Sequence, residues 1–189
     1  MLFRSYYASL NHLAKGECKA DEVYKIELLM KQAKISTELR KVVSAALLRA
    51  ETTSTPAAAI ELADNRIVTA KTSELLGASA ALILNAIKVL GNIDDSIHLI
   101  SPTVIEPVQK LKTQYLGSSN PRLHTDEILI ALSMCAATDN NAHLALEQLP
   151  KLRGCQVHTS VMLSNVDIKI FHKLGIQLTS EPRYEHKKI

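Results

Sequence analysis

The densest cluster of chemically capable residues is Ser118-Ser-Asn-Pro-Arg-Leu-His-Thr-Asp-Glu127, a polar loop running into a helix start. Arg122 offers a planar fork that fits a carboxylate or a phosphate, and His124 exchanges a proton near neutrality. The N–H groups after Thr125 open a helix and lack intrahelical partners, which favours an anion. Arg122, His124 and Thr125 are therefore candidate ligand residues. The same segment has a coherent structural role. Thr125 serves as a helix cap, Asp126 and Glu127 meet the positive end of the helix dipole for about 0.3–1 kcal/mol each, and Arg122 pairs with one of them.

A second anion candidate is Lys71-Thr72-Ser73, where a strand reading runs into a helix reading. The order is that of a phosphate loop ending. Such a loop needs glycine where this chain has Asn65 and Ala70, so that backbone N–H groups can close on phosphate. The resemblance to a phosphate loop is superficial, and Ser73 as a plain helix cap accounts for the pattern. Weak anion binding by Lys71, Thr72 and Ser73 remains the functional reading.

Cys155 and His158 have a spacing found in zinc sites, yet two residues three apart on one strand point to opposite faces. They share a metal only if Cys155 belongs to the preceding turn, and no second pair completes a set. His98 and His143 stand alone. No metal is expected, and Cys155 reads as a small buried hydrophobe more readily than as a nucleophile.

Composition narrows the class without naming a reaction. Lys and Arg exceed Asp and Glu by 22 to 19, and the basic residues are scattered, so nucleic-acid binding gets no support. The locally basic tail from Arg183 to Lys188 reads as a solvated end. Three cysteines at irregular spacing, with no signal segment, predict a reduced, cytoplasmic protein. The longest apolar run, Leu75 to Leu90, is interrupted by Ser79, Asn85 and Lys88 and falls short of the roughly 20 residues that cross a bilayer. With 189 residues, an independent core is feasible.

The elements that must position these groups fall into two stretches. Residues 1–55 read as helical hairpins: 2–13, then 21–33, then a helix capped by Ser36 or Thr37 that carries Leu39, Val42, Val43, Ala46 and Leu47. Thr52-Thr-Ser-Thr-Pro56 marks a boundary to an α/β domain over 56–189. There, 57–62 and 66–70 form a hairpin around Ala63-Asp64-Asn65. Ser73 caps a helix to Leu90, 97–100 is a strand, and Pro102 opens a helix to about Leu116. Further helices span 125–137 and 142–149. Residues 157–163 alternate as a strand, Ser164 to Asp167 fits a capping box before a helix stopped at Gly175, and 176–179 is the last strand. The fold class is α/β or α+β, with helical hairpins preceding a small mixed sheet covered by helices.

Asn120 to Glu127, Gly154-Cys-Gln-Val-His-Thr-Ser160 and Leu174 to Pro182, together with Ile60-Glu-Leu62, Arg66-Ile-Val-Thr69, Leu75 to Ala81 and His98 to Pro102, occur in an order and spacing that resemble the C-terminal portion of a bacterial family, uncharacterised protein family 0371, also called domain of unknown function 1846. The family has no accepted catalytic residues to carry over. The resemblance implies longer relatives, whose N-terminal portion includes a Gly-Thr-Gly-Lys segment typical of phosphate loops and absent here. Departures from the family pattern are Ala70, Gln156, His172 and Ser180. The resemblance also implies that Met1 falls inside a longer protein, which accounts for the uncapped first helix. Two functions follow as expectations. One is the C-terminal lobe of a nucleotide- or phosphate-ligand enzyme, inactive and without a bound cofactor by itself, with the missing N-terminal domain as its partner. The other is a structural domain forming a homo-oligomer through Leu2, Phe3, Tyr6 and Leu10.

Overall fold

The computed structural model describes residues 2–185. Three helices come first: α1 (Leu2–Ala14), α2 (Ala20–Gln32) and α3 (Lys41–Thr53). The hairpin of β1 (Ala57–Glu61) and β2 (Ile67–Lys71) follows, then α4 (Ala78–Leu90), α5 (Pro102–Lys110), α6 (Thr125–Cys135) and α7 (Asn140–Leu146). The chain returns to the sheet through β3 (Gln156–Thr159), α8 (Asn165–Lys173) and β4 (Gln177–Ser180). The sheet order is β2-β1-β3-β4; β1 is antiparallel to both its neighbours, and β3 is parallel to β4. A mixed four-stranded sheet under helices is the α/β arrangement expected.

Alternation along the central strand β1 builds two cores. Ala58 and Ile60 point into the larger one, with Leu82 and Ile83 of α4, Ile128 and Leu132 of α6 and Phe171 of α8. Ala59 points the other way, against Val42 and Ala46 of α3. Three consecutive alanines are poor strand formers in isolation. Here they are completely buried, and their small side chains let helices approach both faces of the sheet. The β1–β2 turn forms at the expected place, with Asn65 in the left-handed conformation at φ 64°.

Several expected elements end differently. Residues 97–100 form no strand; Leu99 and Ile100 are buried in the larger core as an irregular segment, an outcome that a short apolar run leaves open. The helix attributed to Ser73 starts only at Ala78, with Gly77 at its N-cap. Ser73 instead closes a local turn, its hydroxyl accepting from the N–H groups of Leu75 and Leu76. Thr125 is likewise not the cap of α6, a position held by His124. The helix from Pro102 does continue to Tyr115, but its last turn, Leu111–Tyr115, is widened to π geometry. The strand expected over 157–163 stops at Thr159, because beyond it the chain leaves the sheet to wall a cleft. Ser164 caps α8 as expected, accepting from the Asp167 N–H at 3.2 Å.

The apolar stripe of α1 is half-buried at Leu2, Phe3, Tyr6 and Leu10, because α1 packs on α2 and along β4. Tyr7 is buried and packs against His158 with ring centroids 4.8 Å apart and the ring planes tilted by 58°. No helix among the described residues is long and apolar enough to cross a membrane.

Candidate functional site

The two loops singled out in the sequence, about fifty positions apart, are joined by a short parallel bridge between Leu76 and Leu123. Leu123 donates its N–H to the Leu75 carbonyl at 3.0 Å, and Gly77 donates to the Leu123 carbonyl at 3.4 Å. Arg122 reinforces the contact, its Nε donating to the Ser73 carbonyl at 2.9 Å. Below the loop, the buried Lys112 of the π turn donates to the Arg122 carbonyl at 2.6 Å and to the Glu127 carboxylate at 2.8 Å. The same Glu127 oxygen accepts the His124 N–H at 2.7 Å. One ammonium thus fixes the loop to the first turn of α6.

The bridge leaves a cleft of about 210 Å³ beside it. Thr72, Ser79, Arg122, His124, Val161 and Met162 are among the residues that line it. The N-terminus of α4 opens onto this space. Gly77 supplies no side-chain cap, and the N–H groups of Ala78, Ser79 and Ala80 have no acceptor among the described residues. Thr72 and Ser79 are largely buried as residues, 6% and 4% exposed, and both line the cleft. Two hydroxyl-bearing residues therefore line the same cleft beside an uncapped helix end, and together they offer a set of donors.

At the neighbouring helix end the corresponding place is already filled. Asp167, buried on α8, accepts the Thr125 N–H at 2.9 Å, the Thr125 hydroxyl, the Ser164 hydroxyl at 2.8 Å and His124 Nδ1 at 3.1 Å. Burial alone would raise its pKa; the bonds from His124, Thr125 and Ser164 outweigh burial and bring it down to about 2. The hydrogen bond to Asp167 in turn raises the pKa of His124 against the effect of burial.

Of the six residues suggested by the sequence, Thr72, Arg122 and His124 line the cleft. Lys71 is exposed at the end of β2, Ser73 is engaged in its own turn, and Thr125 is bound to Asp167. Ser79, Lys112, Asp167 and Glu185 carry geometry that the sequence reading missed. For Ser79 the signal was present: the glycine before Ala78 marks a helix start without a side-chain cap. Arg122 pairs with Glu185 at 2.7 Å, not with Asp126 or Glu127.

Cys155 and His158 do not meet. Cys155 is buried ahead of β3 with its thiol donating to the Lys151 carbonyl at 3.6 Å, and burial pushes its pKa up. His158 lies on the opposite side of the sheet between Thr179, at 2.9 Å, and Glu181, at 3.1 Å, and burial holds its pKa down. Beside it, the buried Arg40 donates to Gln156 at 2.7 Å, to the Gln177 carbonyl at 3.0 Å and to Thr179. His98 and His143 are exposed, and among the described residues no group of three or more His, Cys, Asp or Glu side chains is placed to hold a metal ion. The basic tail lies partly outside the described residues, at positions 186–188.

Residues 38–189 match the family model described as domain of unknown function DUF1846, C-terminal. The chain belongs to this family. Members similar to it include UPF0371 proteins from Corynebacterium efficiens, 52% identical, and Corynebacterium glutamicum strain R, 50% identical, each over 188 residues. A UPF0371 protein from Streptococcus pyogenes serotype M5 is 44% identical over 188 residues. In all three the match covers 100% of this chain and 38% of the relative, so the family members are much longer than the sequence described here. The family carries no assigned activity in its name.

Proposed function

We propose that this DUF1846 C-terminal domain is a binding lobe for the phosphate end of a small ligand, with the rest of the ligand's site supplied by the portion of the longer relatives that this chain does not span. The observation that carries the reading is that Thr72, Ser79 and Arg122 line one cleft at the N-terminus of α4, which no side chain among the described residues caps. Thr72 at a strand end, Ala78 and Ser79 at a helix start and Arg122 on a loop bring backbone N–H groups, hydroxyls and a guanidinium to the lining of one cleft. A tetrahedral anion uses donors arriving from several directions better than a planar one does. The apolar wall of Pro56, Val161 and Met162 suits the uncharged part of a phosphoester or nucleotide.

The test is a ¹H–¹⁵N NMR titration of the chain with inorganic phosphate. Binding is expected to move the amides of Thr72 and Ala78 to Ala80 together, and Thr72→Val with Ser79→Ala is expected to abolish that response. Shifts scattered over surface lysines, or none, would overturn the assignment. The alternative, a purely structural domain that self-associates through α1, has less support because the α1 stripe is already half-covered within the chain.

A further inference from the structure

Resting on the phosphate reading above, we infer that Glu185 is a resident competitor: its carboxylate stands on the Arg122 guanidinium at the cleft, and a phosphomonoester dianion enters by taking its place. Arg122 has little freedom to look elsewhere. Its Nε is spent on the Ser73 carbonyl, which orients the guanidinium, and its Nη1 donates to Glu185 Oε1 at 2.7 Å. Glu185 lines the same cleft as Thr72, Ser79 and His124. The arm that carries it is anchored just before it: Glu181 donates its N–H to the Thr159 carbonyl at 2.9 Å, and Met162 donates to the Arg183 carbonyl at 2.7 Å. Only Tyr184 and Glu185 lie beyond those ties within the described arm.

The pair is built to exchange. Both side chains are well exposed, 37% for Arg122 and 42% for Glu185, and an ion pair of that kind holds weakly. A free monocarboxylate offers Arg122 the same single charge and the same two oxygens that Glu185 already supplies from a short tether, and the tethered group wins by effective concentration. A phosphate dianion brings a second charge and a third oxygen for the donors of Thr72, Ala78 and Ser79, which line the same cleft as Arg122 and which Glu185 does not engage. The cleft therefore discriminates for phosphomonoesters over simple carboxylates, and the C-terminal arm lifts when one binds.

The experiment is the NMR titration with inorganic phosphate, and separately with acetate, on the full chain, its Glu185→Gln form, Arg122→Ala and the double variant. Glu185→Gln is expected to bind phosphate about two- to fivefold tighter, the range that an exposed ion pair allows. The gain should vanish in the Arg122→Ala background, and acetate should leave the amides of Ala78 to Ala80 unmoved in the unsubstituted chain. Equal or weaker phosphate binding by Glu185→Gln overturns the competitor role while leaving the phosphate site intact. Acetate binding as tight as phosphate in the unsubstituted chain overturns the discrimination. Failure of phosphate to move the Thr72 and Ala78 to Ala80 amides in any form overturns both this inference and the reading beneath it.

Discussion

Asp167 of α8 accepts the backbone N–H of Thr125 at 2.9 Å, so the first turn of α6 is capped by a carboxylate from another helix. A cap of this kind ties two helices together as well as satisfying an orphan donor. It also removes Thr125 from the set of groups that can hold an external anion, leaving the α4 end as the open one.

Replacing Asp167 with Asn keeps the shape and removes the charge. With a folded pKa of about 2 against an ordinary value near 3.9, the carboxylate contributes about 2 kcal/mol at neutral pH. Because the folded value is depressed, that contribution is present above about pH 4 and lost as pH falls towards about 2. Urea unfolding of Asp167→Asn should show a loss of about 2 kcal/mol at pH 7 that shrinks to little at the acid end.

His124 and His158 should titrate with opposite signs. His124 is raised by its hydrogen bond to Asp167, so its stabilisation is complete below about pH 6.5 and fades as pH rises through the folded value. His158 is lowered by burial, so its contribution holds above about pH 6.5 and is lost as pH falls through the folded value. Unfolding free energies of His124→Gln and His158→Gln across this range should therefore diverge from the unsubstituted protein at opposite ends.

Arg40 is expected to be the costliest polar position to lose. Truncation to Ala leaves the Gln156 oxygen, the Thr179 hydroxyl and the Gln177 carbonyl without their buried donor, at about 2–4 kcal/mol. Denaturant unfolding would read this as a lower midpoint at unchanged slope, and a cost below about 1 kcal/mol would show that water replaces the guanidinium.

Lys112 should matter to the cleft more than its distance in sequence suggests. Lys112→Met retains an apolar stem but frees both the Arg122 carbonyl and Glu127. The measurable result would be faster amide hydrogen exchange over the loop before α6, with the sheet unaffected.

The helices and the β1–β2 hairpin were legible in the sequence because periodicity and turn residues act locally: Asn65 takes its left-handed turn, and Ser164 caps α8. Ser73 and Thr125 misled because each is a good cap by type, while tertiary contacts gave the places to Gly77 and His124. Ile97 to Ile100 misled because a short apolar run specifies burial without specifying strand. The meeting of Thr72 with Arg122 depends on the Leu76–Leu123 bridge, and no local pattern announces a two-bond pairing between distant loops. The family resemblance, carried by order and spacing, was readable throughout.

That bridge sets a limit on how the domain can vary. Its two hydrogen bonds fix the lengths of both connecting segments at once, so inserting a residue between Gly117 and Leu123 would rotate Arg122 away from Ser73 and pull the α4 entry out of line. Homologous domains that share the cleft should therefore conserve the number of residues in these loops more strictly than their identity.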